Sequence, residues 1–143
     1  EDRLSYGAGF SDAGILAVFD HWWMYGDEEV VKENWTAMKK YLQARQDAHR
    51  RGRGRVFGTS GGDRLHFNDP TPSRLIDLAM LALDFRLMAE MSRVAGNPIN
   101  HLTYNGTFVE LQAEFRKNFV NEDGSLGDEP SFISHSSSMN DDE

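Results

Sequence analysis

Apolar residues recur at intervals of three and four along much of the chain, which is the period of an α-helix with one buried face. The pattern predicts four helices: Ala13–Tyr25, a second from Asp27 to about Ala48, a third opening at Thr71-Pro72, and a fourth over residues 100–119. No stretch is convincing as a strand. We therefore expect an all-α fold of two αα-hairpins.

Local signals mark the ends of these helices. Ser11 or Asp12 would cap the first helix, and Gly26 would end it. For the third helix, a cap at Thr71 and proline at the first helical position are expected, with an end at the Gly-Asn-Pro of residues 96–98. This helix is apolar on nearly every side, so we expect it to be buried.

Aromatic side chains crowd the end of the first helix. Trp22, Trp23 and Tyr25 fall on different sides of it, and aromatics at this density are usually core residues. Two hairpins do not obviously cover all of those sides. The remaining sides would then be covered either by self-association or by neighbouring helices in a larger helical barrel.

Composition narrows the class of protein. With 39% hydrophobic and 27% charged residues among 143, the chain resembles one soluble globular domain. The net charge of −8 argues against nucleic acid and anionic membranes as partners. There is no cysteine, no signal peptide and no apolar run of about 18 residues, so we expect no membrane span and favour a cytoplasmic location.

Two segments differ from the helical pattern. Residues 129–143 are serine-rich and acidic, so we expect a helical domain over residues 1–128 and a disordered tail after it. The long Gly/Arg-rich connection contains the basic run from Arg50 to Arg55, which could bind an anionic partner or be a solvated loop. The five histidines lack metal-ligand spacing, and we expect no metal and no cofactor.

Six short motifs then occur in the order of a known family. They are GFSDAG (residues 9–14), YGD (25–27), NW (34–35), AMKKY (37–41), LMAEM (87–91) and FVNEDG (119–124). This order resembles the bacterial α-L-rhamnosidases, over roughly residues 9–128. The resemblance implies part of a six-hairpin α/α barrel that hydrolyses terminal α-L-rhamnosides with inversion.

Inverting hydrolysis needs a general acid and a general base about 6.5–9.5 Å apart. In the family the acid lies in an R-x-E-R-L-G-W-x-G-D element upstream of G-W-S-D-A-G, and the base lies far downstream. Neither element is present in this sequence, so we assign no catalytic residue. The family's G-D-W-L also reads GDRL at residues 62–65, with arginine in place of the sugar-facing tryptophan.

The resemblance implies three substrate-side residues: Phe10, Asp12 and Asp63. An aromatic face covers the apolar side of a sugar ring, and carboxylates accept hydrogen bonds from its hydroxyls. The alternative for Phe10 and Asp12 is a hydrophobic staple and a helix cap. The alternative for Asp63 is ordinary turn chemistry beside glycine.

Three functions remain open from the sequence. The first is a partial rhamnosidase-like glycoside hydrolase domain, inactive alone, whose partners are a rhamnose-containing carbohydrate and either the rest of the barrel or further copies of the chain. The second is a small helical module for protein interaction or self-association. The third is a weak carbohydrate binder without hydrolysis.

Overall fold

A computed structural model describes residues 11–51 and 71–127. It contains four helices: α1 (Ala13–Tyr25), α2 (Glu28–Arg50), α3 (Ser73–Val94) and α4 (Pro98–Phe119). Within these ranges the extended structure is limited to one isolated bridge between Val120 and Leu126. The predicted all-α fold of two hairpins is confirmed. Phe10, Asp63, most of the Gly/Arg-rich connection and the predicted disordered tail lie outside the described residues.

The turn between α1 and α2 follows the sequence signals. Gly26 ends α1 in the left-handed conformation, with φ of 70°, and its N–H donates to the carbonyl of Trp22. Asp27 then caps α2, because its Oδ1 accepts the backbone N–H of Glu29 at 3.0 Å. Helix α2 continues to Arg50, two residues beyond the predicted end.

The turn between α3 and α4 forms a complete Schellman motif. Gly96, with φ of 72°, donates to the carbonyl of Arg93, and Asn97 donates to that of Ser92 at 2.8 Å. Pro98 begins α4 at the position where its missing N–H is harmless, two residues earlier than predicted. The predicted start of α3 was wrong by one residue: Pro72 has ψ of 125° and occupies the cap position, so the helix begins at Ser73.

Each helix runs antiparallel to the one before it. Side-chain contacts fix this arrangement: Tyr41 of α2 bonds to Asp12 at the start of α1, and Phe85 of α3 packs on Tyr104 of α4. Trp35 near the start of α2 also packs on Tyr104, which lies near the start of α4. The start of α1, the second half of α2, the first half of α3 and the second half of α4 therefore share one half of the molecule, here called the cluster end. The two short turns share the opposite end, here called the turn end.

Helix α3 is the centre of the core, as its apolar sequence predicted. Its buried side chains cover most of its circumference, with Leu78, Leu81, Phe85 and Met88 on one side and Leu87 and Met91 on another, and an exposed stripe remains at Arg86, Glu90 and Arg93. It packs along its length against α4 and also contacts α1 and α2. Complete burial of one such side chain contributes about 1.5–3 kcal/mol. No helix in the described ranges has the combination of length and hydropathy that a membrane span requires.

A histidine adds a polar link between α3 and α4. His101 Nδ1 lies 2.8 Å from the carbonyl oxygen of Ala89, which can only accept, so the ring carries its proton on Nδ1. Its Nε2 then accepts from Arg93 at 3.1 Å. The ring thereby bonds at both nitrogens, and it fixes the first turn of α4 against the last turns of α3.

The expectation that the aromatics at the end of α1 are core residues was wrong for two of them. Trp23 and Tyr25 are each 74% exposed, whereas Trp22 is half-buried against the core. Helix α1 contacts its neighbours through the face that carries Ile15 and Val18. Successive residues are rotated by about 100°, so Trp23 turns away from that face. Tyr25 returns to the side of Val18, but it is the last residue of the helix.

Candidate functional site

Asp12 directs its side chain into the protein instead of capping α1. It occupies the predicted cap position, but its side chain makes no cap hydrogen bond there. The Tyr41 hydroxyl donates to Asp12 Oδ1 at 2.6 Å, and Asp12 is 0% exposed. The cap position is thus as predicted, but the carboxylate makes no capping hydrogen bond. A hydrogen bond from another helix takes its place and ties the start of α1 to α2.

Arg45 extends this contact towards α3. Its Nε lies 3.5 Å from Asp12 Oδ1, and both side chains are buried. Its Nη2 donates to the backbone carbonyl of Asp77 at 3.4 Å. Because a buried guanidinium is stable only with compensating charge and hydrogen bonds, Arg45 holds α1 and α3 at fixed positions beside α2.

Asp84 is the second fully buried carboxyl group. It lies in the middle of α3 with 0% exposure, and neither of its oxygens receives a hydrogen bond. The pKa of Asp84 is raised to about 9, chiefly by burial and then by the charge of Asp12 and a side-chain hydrogen bond to Asp12, against the opposing charge of Arg45. These surroundings favour the neutral form of Asp84.

The pKa values of two groups beside Asp84, Tyr41 and Asp77, are shifted in the same direction. Burial, followed by the hydrogen bond to Asp12, raises the pKa of Tyr41, so its hydroxyl stays protonated and donates at all ordinary pH values. Burial also raises the pKa of the half-buried Asp77, against the charge of Arg45. Together Asp12, Tyr41, Arg45 and Asp84 are here called the polar cluster.

The sequence predicted one of the four members, Asp12, as a site residue. Tyr41 entered only as the last residue of the AMKKY motif, and Arg45 and Asp84 were not singled out. A signal for Asp84 was available, since an aspartate inside the apolar run LAMLALDF is unusual in a helix that is largely buried. Tyr41 and Arg45 are four residues apart and so lie on one face of α2.

The predicted substrate contacts of Phe10, Asp12 and Asp63 stay predictions. Phe10 and Asp63 are outside the described residues. Arg51 and Thr71, which border the connection that contains Asp63, adjoin the end of α2 and the start of α3.

Histidines in the described ranges form pairs rather than metal sites. His21 lies 3.3 Å from Asp27, and His49 of α2 lies 3.0 Å from Glu114 of α4. In residues 11–51 and 71–127, no group of three or more His, Asp or Glu side chains is placed to hold a metal ion. The second pair connects α2 and α4 at the cluster end.

The family model of the bacterial α-L-rhamnosidase six-hairpin glycosidase domain matches residues 2–139. The chain belongs to this family. The resemblance given by the six sequence motifs is thereby confirmed, and the two described hairpins are a fragment of the six-hairpin fold.

Individual relatives agree with this assignment. An α-L-rhamnosidase of Streptomyces avermitilis is 29% identical over 138 residues, which are 93% of this chain and 13% of that protein. The crystal structure of a Streptomyces avermitilis α-L-rhamnosidase complexed with L-rhamnose matches with a TM-score of 0.72 and 26% identity, over 84% of this chain and 11% of that one. The chain spans only a small part of the length of these relatives.

Proposed function

We propose that the chain forms part of the framework of a rhamnosidase-type sugar site and does not cleave glycosides by itself. The observation that carries this proposal is the burial of the polar cluster. Asp12 and Asp84 are both 0% exposed, and they face Tyr41, Arg45 and each other. An inverting glycosidase needs two carboxyl groups that flank a sugar and a water molecule, and these two have no room for either.

The test is hydrolysis of an aryl α-L-rhamnoside by the purified 143-residue chain. The controls are Asp12→Asn and Asp63→Asn, each checked for helix content by circular dichroism. We expect no turnover by the unmodified chain above these controls. Turnover that disappears in a folded variant would overturn the proposal, and the acid and base would then be sought among Asp12, Asp20, Asp27 and Asp63.

Sugar binding without hydrolysis is the finer part of the proposal. Its support is the L-rhamnose bound to the matched Streptomyces enzyme. Phe10 and Asp63 would contact the sugar directly. Asp12 would act indirectly, because its buried carboxylate ties the start of α1 to α2.

Titration with L-rhamnose, followed by tryptophan fluorescence, measures this binding, with D-glucose as the control sugar. We expect saturable, millimolar binding of L-rhamnose that Phe10→Ala weakens without loss of helix content. Equal responses to both sugars, or no response at high millimolar L-rhamnose, would remove the sugar-binding part and leave the framework role standing.

Self-association is a second candidate function, and a separate observation favours it. Five large apolar side chains are exposed near the turn end: Trp23, Met24, Tyr25, Ile99 and Leu102. Exposed apolar groups of this kind mark surfaces that other helices cover. Sedimentation velocity at micromolar concentration measures whether the chain self-associates. A dimer supports the interaction role, and a monomer counts against it.

A further inference from the structure

The charges of the polar cluster sum to zero only when one of its two aspartates is neutral. If both were ionised, two negative charges would face the positive charge of Arg45, and all three side chains are buried. Asp12 accepts a hydrogen bond from Tyr41 and pairs with Arg45, whereas neither oxygen of Asp84 receives a hydrogen bond. These contacts leave Asp84 as the candidate for the neutral member.

We infer that Asp84 is a carboxylic acid whose O–H donates to the Asp12 carboxylate, and that this shared proton is an alkaline-sensitive lock between α3 and the start of α1. Two ionised carboxylates can only accept, so they cannot bond to each other. One proton on Asp84 converts the pair into a donor and an acceptor. This satisfies a buried group that otherwise has no hydrogen-bond partner.

Every helix packed around Asp84 is consistent with this assignment. The N-cap of α1 contributes Asp12, and α2 contributes Tyr41 and Arg45. On α3 itself the nearest acid along the cluster is Asp77, whose carbonyl accepts from Arg45. Within the described residues, α4 brings no charged group that shifts the pKa of Asp84. Among the described residues, Arg45 is the cation that acts on Asp84, and it also pairs with Asp12.

The lock opens by simple proton loss. Hydroxide takes the proton from the Asp84 O–H, water forms, and two carboxylates are left facing each other in the core. Because the pKa of Asp84 is raised to about 9 from an ordinary value of 3.8, the folded chain holds a proton that the unfolded chain has lost. The resulting stability is complete below about pH 4 and is lost progressively as the pH rises towards 9, by up to tenfold in the folding equilibrium constant per pH unit.

The test compares the unmodified chain with Asp84→Asn by urea unfolding between pH 5 and pH 9. Asparagine has the same shape, and its NH₂ group is a donor to Asp12 at every pH. The folding constant of the unmodified chain is expected to fall with pH relative to that of the variant, by up to tenfold per unit. The exposed Asp20→Asn serves as the control and should follow the unmodified chain.

An infrared difference spectrum gives a second readout that does not depend on stability. Subtracting the spectrum of Asp84→Asn from that of the unmodified chain at pH 7 should reveal the C=O band of a protonated carboxylic acid, which Asp20→Asn should not remove. A carboxylate band in its place would overturn the assignment. So would an Asp84→Asn chain that is less stable than the unmodified chain at pH 8. The inference does not rest on the proposed function, since neither measurement involves a sugar.

Discussion

The cluster end and the turn end of the four helices differ in what holds neighbouring helices together. At the cluster end, Tyr41 and Arg45 reach across helix boundaries to Asp12 and to the Asp77 carbonyl, and these polar contacts are buried or part-buried. At the turn end, consecutive helices are joined by a few residues in which glycine adopts a positive φ. Large apolar side chains there are left exposed.

This difference separates two ways of specifying a helical fold. Backbone conformation at the turn end sets the direction in which the next helix leaves the turn. This conformation depends only on the local sequence. The polar cluster fixes how α1, α2 and α3 are placed relative to one another, because buried polar groups tolerate few alternative partners. Substitutions at the cluster end should therefore have larger effects than substitutions at the turn end.

The largest effect is expected for Arg45→Met. Methionine fills a similar volume but leaves the buried Asp12 carboxylate without its cation, and breaking a buried pair in this way costs about 3–5 kcal/mol. Urea unfolding at pH 7 measures the loss. Lys40→Met, at an exposed position of the same helix, is the matched control and should change stability little. Similar stabilities for the two variants would mean that the cluster does not hold the helices.

A smaller loss is expected for Tyr41→Phe. The ring is retained, but Asp12 loses the 2.6 Å hydrogen bond, and an unsatisfied buried acceptor costs about 1–3 kcal/mol. Tyr25→Phe removes a hydroxyl from an exposed ring at the turn end and should change the free energy of unfolding by less than about 0.5 kcal/mol. The comparison between the ends fails if the two phenylalanine variants unfold at the same urea concentration.

The contribution of the turn end to stability is expected to depend on the backbone conformation of its glycines. Gly96→Ala places a side chain on a residue with φ of 72°, although there is open space around it, and the left-handed conformation costs roughly 1–2 kcal/mol. Gly14→Ala is the opposite case, because Gly14 is an exposed helical residue with equally open surroundings. It should stabilise the chain by about 0.5–1 kcal/mol. Thermal unfolding of both variants should move in opposite directions.

The smallest effect on stability is expected for Trp23→Ser. The ring is 74% exposed and stacks only on Phe19, so the free energy of unfolding should change by about 0.5 kcal/mol or less. Its effect on sedimentation should be greater if the turn end is an interface, because the variant would dissociate at concentrations where the unmodified chain associates. A large loss of stability in a monomeric sample would show that Trp23 belongs to the core.

Features of the turn end could be predicted from the sequence more completely than those of the cluster end. The all-α fold and both short turns could be predicted, because Gly26 and the Gly-Asn-Pro of residues 96–98 act through their own backbone. The side chain of Asp12 was misassigned as a cap because its true partner, Tyr41, lies 29 residues away. Helical period alone does not state which face of α3 meets α1, so Asp84 could not be placed in the cluster before the packing was known.

The Schellman turn at Gly96 also has a consequence for the order in which the structure forms. Only residues 95–97 separate α3 from α4, so closing this hairpin loses little chain entropy, and its contacts are local in sequence. The cluster bonds instead join residues 29 and 32 positions apart. We therefore expect the α3–α4 hairpin to form first on folding. Its amide protons along the buried length of α3 should be the slowest in the chain to exchange with deuterated solvent.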